Sequence, residues 1–264
     1  MMRSMYTAAT GMKGQQLYMD TISNNLSNVN TNTYKRQNIQ FKDLMYQTIK
    51  EPGTRNPEGS VAPAGIQVGL GVRTGAITRN FEQGSLKNTG NDTDVAIKGE
   101  GFFQVALPGG GVAYTRDGQF HRSSDGVLRT SEGHPVYPEI IIPEGYSSIE
   151  ISAEGHVIAV SDDADDSRNI ELGQFELAQF INPSGLNSIG NNLYLETEGS
   201  GMPLLSTPGR DGMGELAHQH VEGSNVDMVD EMVGMISAQR AYEIVSKAIT
   251  TSEDMLQTAT GLKR

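Results

Sequence analysis

Two histidines form the closest pair of metal-binding side chains in the sequence. His218 and His220 are separated by a single residue, and imidazole nitrogens are common zinc ligands. A zinc site needs further ligands, but the chain has no cysteine and no third histidine stands near the pair. We therefore expect His218 and His220 to be exposed linker residues, and we predict no metal ion.

An acidic run and a glycine motif are the other candidates for ligand chemistry. Residues 162–166 (DDADD) lack the glycine and the terminal glutamate of a calcium-binding loop, so we interpret them as a solvated acidic turn. Gly69, Gly71 and Gly75 miss the dinucleotide-binding spacing by one residue, and they lie in a predicted β segment with no helix after it. Neither pattern predicts a cofactor.

No catalytic set can be recognised from spacing. Glu253 and Asp254 are adjacent acids on a predicted helix face, where solvated charge is the simplest interpretation. No Ser–His–Asp arrangement stands out, and a chain without cysteine has no thiolate nucleophile. We predict that the protein is not an enzyme. Two hypotheses from other classes stay open: a β-rich secreted binding module, and a cell-wall-acting enzyme with helical ends.

Composition favours a turn-rich β region over a large compact core. Of 264 residues, 36% are hydrophobic and 31 are glycine, and the mean hydropathy is −0.39. The formal net charge of −12 argues against nucleic acid as a partner, because its phosphates would be repelled. We find no run of 18 apolar residues and no signal-peptide pattern. We expect no membrane insertion, and any export to proceed without a cleaved signal peptide.

Both ends of the chain carry heptad patterns, which predict amphipathic helices. The C-terminal series includes Met235, Tyr242, Val245, Ile249 and Leu256. The N-terminal series includes Met12, Met19, Ile22, Leu26 and Val29. Ser224, with Asp227 three residues later, predicts the start of the second helix. We place the first helix in 1–36 and a linker plus the second helix in 216–264. The pair could pack on an ordinary core, or form a coiled coil that also packs against other copies.

The first helix ends in an asparagine-rich stretch. It contains Asn24, Asn25, Asn28 and Asn30. Asparagine is poor inside helices and favoured in caps and turns, so a frayed helix end is one interpretation. The alternative is that the amides form hydrogen bonds across packed helices of different subunits.

The middle of the chain reads as β structure between the two helices. Residues 37–80 form a connector whose segment 46–63 is predicted to be an extended loop or a long hairpin. Its turn-forming and flanking residues are Tyr46, Pro52, Gly53, Pro57 and Pro63. Residues 81–215 alternate in short apolar runs separated by turn dipeptides such as Asp117-Gly118 and Asp125-Gly126. The predicted fold class is α+β: an all-β central domain plus a coiled-coil pair of N- and C-terminal helices.

Several separated motifs resemble the bacterial flagellar rod and hook family of axial proteins. They are SNNLSNVNTNTYK (23–35), DVAIKGEGFFQV (94–105), YTRDGQF (114–120), FINPSGLNSIGNNLY (180–194), EGSNVDMV (222–229) and AQRAYEIVSKAITTSEDMLQ (238–257). They occur in the family's order and cover nearly the whole chain. Two departures are Val245, where the family usually has asparagine, and 217–220, which replaces a Gln-Gly pair.

The resemblance implies a structural subunit of a tubular shaft that carries motor torque to the hook. The heptad residues of both helices would then be subunit-interface residues. The segment 46–63 resembles the insertion that marks distal-rod members, and it would stiffen the tube; a proximal-rod or hook-type member is the alternative within the family. Implied partners are other copies, proximal rod proteins, hook-side axial proteins, the surrounding ring bushing and the flagellar type III export apparatus. The implied location is the basal-body rod within the periplasm.

A free-energy estimate agrees with assembly through the ends. Full burial of the five N-terminal heptad residues would contribute on the order of 10 kcal/mol. Ordering about thirty residues costs about 1–2 kcal/mol each. We therefore expect the terminal helices to be largely disordered in the monomer and helical in the polymer.

Overall fold

The chain passes four times between two structural units. The computed structural model describes residues 2–53, 63–143, 146–161 and 169–261. One unit, called here the helical unit, comprises Met1–Ser27, Gln37–Arg79 and Asp227–Arg264. The other, called the β unit, comprises Asn28–Arg36 and Asn80–Val226. None of the described helices has the length and apolar character that crossing a bilayer requires.

The helical unit contains both terminal helices and four β-strands. Its elements are α1 (Met2–Ser27), β1 (Gln37–Asp43), β2 (Tyr46–Lys50), β3 (Ile66–Gly69), β4 (Val72–Arg79) and α2 (Met228–Gly261). The strands pair antiparallel, β1 with β4 and β2 with β3. The hairpin predicted in 46–63 therefore corresponds to β2–β3, whose second strand begins at Ile66, after the end of the predicted range.

Helices α1 and α2 pack against each other, and small residues mark the closest approaches. A Cβ atom added at Gly11 would lie 3.8 Å from Val245 Cγ1, and one added at Gly234 would lie 3.3 Å from Ile22 Cδ1. Helix α1 also contacts the β1–β4 pair, where Tyr18 and Phe41 stack edge-to-face with ring centroids 6.2 Å apart. The predicted pairing of the terminal helices is confirmed.

The ends of both helices differ from prediction. Asp227, not Ser224, caps α2: its Oδ1 accepts hydrogen bonds from the backbone N–H groups of Val229 (2.8 Å) and Asp230 (3.3 Å). Ser224 lies a turn too early and accepts from Val226 N at 3.3 Å. Helix α1 ends at Ser27, well inside the predicted segment 1–36, because the chain turns at residues 28–30.

The β unit is built from short strands. They are β5 (Leu86–Asn88), β6 (Val95–Lys98), β7 (Phe102–Ala106), β8 (Val112–Thr115), β9 (His121–Arg122), β10 (Leu128–Arg129), β11 (Val136–Tyr137), β12 (Tyr146–Ile151), β13 (His156–Ser161), β14 (Ile170–Gln174), β15 (Leu177–Gln179), β16 (Asn187–Gly190), β17 (Leu193–Leu195), β18 (Leu204–Ser206), β19 (Glu215–His218) and β20 (His220–Glu222). A 3-10 turn spans Pro183–Gly185. The central all-β region and the α+β class are confirmed.

A seven-stranded sheet organises this unit. Its order is β16-β17-β8-β7-β15-β18, and β11 pairs with β7 off this path. Strands β12, β13 and β14 form a second sheet, while β19 pairs with β6 and β20 with β5. One apolar cluster surrounds Phe103, Phe120 and Phe175, and a second contains Phe102 and Tyr194. Alternating apolar residues on short strands supply both clusters.

Three local predictions for the β unit need correction. The linker expected after 215 instead contains β19 and β20, which sequence alone did not show because their partners β6 and β5 lie more than a hundred residues earlier. The apolar run Ile140–Ile142 has strand length and lies among the short apolar runs that predicted strands, but it is not a strand, although Ile141 forms an isolated bridge with Val127. Asp117-Gly118 does not join paired strands, since β8 pairs with β7 and β9 with β10. Asp125-Gly126 does close the β9–β10 hairpin.

Candidate assembly interface

The predicted heptad residues are largely withdrawn from solvent within the helical unit. Ile22 is buried at 2% exposure. The half-buried members are Met12, Met19, Leu26, Met235, Tyr242, Val245, Ile249 and Leu256. Val29 is also half-buried, but it lies beyond the end of α1 and belongs to the β unit. Its placement on the helical series was wrong, because the chain leaves the helix at Ser27.

Seven large apolar side chains of α2 stay exposed in the isolated chain. They are between 47% and 69% exposed: Met228, Val229, Met232, Val233, Ile236, Ile244 and Met255. Val229, Val233, Ile236 and Ile244 recur at three-, four- and eight-residue intervals, which places them along one stripe of the helix. An exposed apolar stripe of this length is a surface suited to contact with another protein.

A groove in the helical unit lies beside this stripe. It has a volume of about 560 Å³ and is lined by α1, β3 and α2. Ala8 and Gly11 line it from α1, Val68 from β3, and Ile244 and Val245 from α2. The lining is mostly apolar, so the groove can accept an apolar side chain.

The asparagine-rich stretch makes hydrogen bonds within the chain. Buried Asn25 pairs with the backbone of Gln37 in both directions, donating to its O at 3.0 Å and accepting from its N at 2.9 Å. Asn28 Oδ1 accepts from Thr31 Oγ1 at 3.1 Å and shapes the turn after α1. Asn24 and Asn30 are exposed. Asn25 is thus ordered by bonds within the chain, and the proposed contact of the asparagine amides with other subunits stays a prediction.

A buried ion cluster holds the 28–36 segment within the β unit. Lys35 Nζ lies 2.7 Å from Glu222 Oε1, and Arg116 Nε lies 2.9 Å from Glu222 Oε2. Lys35 also donates to Glu82 O at 2.7 Å, and Arg116 donates to the carbonyl oxygens of two glycines. All three charged side chains are at most 3% exposed.

Burial sets the electrostatics of this cluster. It lowers the pKa of Lys35 to about 8, and the positive charge of Arg116 adds to that effect. Burial pushes the pKa of Glu222 upward, but Arg116 and Lys35 outweigh it, so that the pKa lies below its usual value. The carboxylate therefore stays ionised and binds both cations. Sequence reasoning missed the cluster, because nothing local marks a pair 187 residues apart.

The segment predicted to stiffen an assembly is an exposed hairpin as far as it is described. Tyr46 begins β2 and is exposed, and its ring packs over Gly69. Pro52, Gly53 and Pro63 are exposed. Pro57, like the acidic run 162–166, lies outside the described residues.

The two histidines are held by backbone groups. His218 Nε2 lies 2.9 Å from Asp92 O, and His220 Nδ1 lies 2.6 Å from His218 O. Both side chains are half-buried on β19 and β20 rather than exposed on a linker. Within the described ranges, no group of three or more His, Asp or Glu side chains is placed to hold a metal ion.

Full-length relatives identify the family. The chain is 51% identical to the flagellar basal-body rod protein FlgG of Borreliella burgdorferi, an alignment that covers 100% of both chains. The chain belongs to the flagellar basal-body rod protein family. As a family member it is a structural subunit of the flagellar rod. FlgG of Caulobacter vibrioides is 43% identical over 99% of this chain and 100% of that protein, and FlgG of Bacillus subtilis is 39% identical over 100% of both.

Three family models match separate parts of this rod subunit. The flagella basal body rod protein model matches residues 5–35, which contain most of α1 and the asparagine-rich stretch. The flagellar hook protein FlgE/F/G D1 domain model matches 96–159 in the β unit. The flagellar basal body rod FlgEFG protein C-terminal model matches 217–262, which contains α2. These matches include the helix pair and much of the β unit, and the β2–β3 hairpin lies between them.

Proposed function

We propose that this rod subunit belongs to the distal rod and that its copies assemble through the helical unit into a stiff tube. The observation that supports this most directly is the exposed apolar stripe of α2. Seven large apolar side chains on one helix leave water only when a further surface covers them. The groove beside the stripe offers such a surface on each copy.

The charge of the helical unit suits dense packing. Its three segments contain 11 Lys and Arg residues against 10 Asp and Glu residues, a net charge of +1. Copies can therefore approach without strong mutual repulsion. Burial of the α2 stripe would contribute about 25 cal/mol per Å² of apolar surface removed from water, and this contribution recurs in every copy of a polymer.

The distal position rests on the β2–β3 hairpin. Ile49 and Ile66 are 60% and 53% exposed on it, so the hairpin offers apolar side chains to a neighbour. We propose that this contact stiffens the tube by adding a second attachment between copies. A distal-rod subunit would adjoin proximal rod proteins, hook-side axial proteins and the ring bushing in the periplasm, and the flagellar type III apparatus would export it.

A single substitution on the stripe tests assembly. Ile236→Asp places a charge on a side chain that is 58% exposed in the isolated chain, so the fold of the chain should be retained. The same charge would be desolvated in a polymer, and we expect rods to be absent. Electron microscopy of isolated basal bodies and swimming in soft agar measure the effect. The control is Gln239→Glu on the same helix, and normal rods in Ile236→Asp cells would contradict the proposal.

Removal of the hairpin tests the distal position. Leu70 N donates to Met45 O at 3.2 Å, the hydrogen bond that closes a two-residue hairpin turn, so an Asn-Gly turn can join residues 45 and 70 after deletion of 46–69. We expect the shortened subunit to polymerise into a more flexible, hook-like tube. Curvature measured in micrographs gives the readout, and an unchanged straight rod would argue for a role elsewhere along the shaft.

A further inference from the structure

The β unit carries a large negative charge that is unevenly distributed along its sequence. Its segments contain 9 Lys and Arg residues against 22 Asp and Glu residues, a net charge of −13. Three tracts of more than ten residues within it contain no charged residue: 101–115, 177–195 and 199–209. Copies that repel one another over most of this unit can approach at such tracts at the least electrostatic cost.

The last two of these tracts contain the two outermost strands of the seven-stranded sheet. The tract 199–209 contains β18, and 177–195 contains β16. Among the described residues, β18 pairs only with β15 and β16 only with β17, so each strand has an open edge. Open edges usually carry charged side chains or proline that discourage pairing with another chain. These two edges have no charge, and the proline nearest to β18 is Pro203, directly before the strand.

The β18 edge exposes a set of large apolar side chains. Leu204 pairs with Gln179 at the end of the β15–β18 ladder. Ile181 and Met202 are 84% and 87% exposed, and Leu204 and Leu205 are 56% and 53% exposed. Ile181 lies two residues after β15 and Met202 two residues before β18, so both are next to the end of this ladder, while Leu204 and Leu205 lie on opposite faces of β18. We call these four residues the β18 patch.

The β16 edge presents a smaller apolar surface at the opposite end of the sheet. Ile189 is 46% exposed, and a tight turn follows it, in which Asn191 and Asn192 have φ angles of 52° and 56°. This turn directs β16 back along β17 and leaves Ile189 at the margin. Ile189 and the β18 patch are therefore separated by the full width of the sheet.

We propose that the β18 patch of one copy binds the β16 edge around Ile189 of a neighbouring copy. The proposal rests on the proposed assembly of copies into a tube. A patch that met its own equivalent would close a two-fold dimer, whereas contact between two different edges propagates without closing. The two charge-free tracts at opposite margins of one sheet supply the two different edges that a propagating contact requires. The partner is thus a second copy of this chain.

Cysteine cross-linking tests the contact directly, because the natural chain contains no cysteine. Leu204→Cys and Ile189→Cys, combined in the full-length subunit, are examined in basal bodies from cells that carry the variant as their only copy. We expect an oxidant or a thiol-specific bismaleimide to produce a ladder of dimers, trimers and larger multimers on a non-reducing gel. Each single variant should give none.

The controls separate this contact from assembly in general. Leu204→Cys combined with Ile141→Cys pairs the patch with a residue of similar exposure outside both tracts, and it should give no ladder. Intact rods without cross-links from the Leu204–Ile189 pair would overturn the proposed contact and leave the function standing. Dimers from Leu204→Cys alone would overturn it in favour of a two-fold contact. Absence of rods from cells with the unmodified subunit would contradict the proposed function instead.

A charge at the patch provides an independent measurement. Leu204→Glu should abolish the ladder of the cysteine pair and cause loss of swimming, while Ile141→Glu should swim like the parent. Full swimming and an undiminished ladder in Leu204→Glu cells would also overturn the proposal.

Discussion

The two units of this rod subunit differ in the number of buried apolar side chains and in net charge. All but two of the buried apolar side chains in the described residues belong to the β unit; Ile22 and Ala238 are those of the helical unit. The β unit carries a net charge of −13 and the helical unit +1. A region with its own core can fold alone and tolerate repulsion between copies. A region without one gains its burial from neighbours, and near-neutrality allows those neighbours to approach.

Hydrogen exchange on the dilute, full-length subunit should show the largest difference between the units. We expect the backbone amides of β7 to exchange at least about 1,000-fold more slowly than those of α1 and α2, a difference of about 4 kcal/mol in opening free energy. The reason is that β7 carries fully buried Phe103 and Val105, whereas α2 is mostly exposed. Mass spectrometry of peptides from both units measures it. Equal protection in α2 and β7 would remove the contrast.

The ion cluster offers a way to weaken the β unit selectively. Glu222→Gln leaves Lys35 and Arg116 as buried cations without a counter-charge, and we expect a loss of about 3–5 kcal/mol in the free energy of unfolding of that unit. Denaturant titration followed by near-UV circular dichroism gives the value. Glu215→Gln, which removes an exposed carboxylate from the same unit, serves as the control. A loss below about 1 kcal/mol would show that the cluster is not a stabilising element.

Acid should reproduce part of this effect. The pKa of Glu222 in the folded chain lies below its ordinary value of 4.5, so its stabilising contribution is present above pH 4.5. The contribution is lost as the pH falls through the lowered folded-state pKa, because the unfolded chain then binds the proton more readily. The difference in unfolding free energy between the parent and Glu222→Gln should therefore shrink below pH 4.5. A difference independent of pH would contradict the assignment.

The smallest expected effect concerns the start of α2. Asp227→Ala removes the acceptor of two backbone N–H groups and should cost about 1 kcal/mol of helix stability. Ser224→Ala, at the position that sequence favoured, should change the helix far less. Exchange rates of the first-turn amides of α2, measured in assembled rods, compare the two. A larger effect from Ser224→Ala would instead support the helix start at Ser224 that the sequence predicted.

Sequence periodicity predicted the helices and strands, which depend mainly on interactions between residues close in the chain. Heptads predicted both helices and their pairing, and alternating runs with turn dipeptides predicted an all-β centre. The helix ends were less accurate, because Ser224 and Asp227 are both good caps and only the backbone geometry decides between them. Strands β19 and β20 and the Lys35–Glu222–Arg116 cluster were missed, since each depends on partners far away in the chain. Exposure of the α2 stripe and of the β18 patch likewise required the fold.

The four passages of the chain between the units have a mechanical consequence. Residues 27–28, 36–37, 79–80 and 226–227 each carry a covalent connection from one unit to the other. A load applied to the β unit is thus shared among four backbone connections instead of being concentrated on a single linker. The connections at 27–28 and 36–37 are the two ends of the short 28–36 segment. Lys35 anchors this segment near its second end. In a rod built from such subunits, load passes between the two units through four covalent connections.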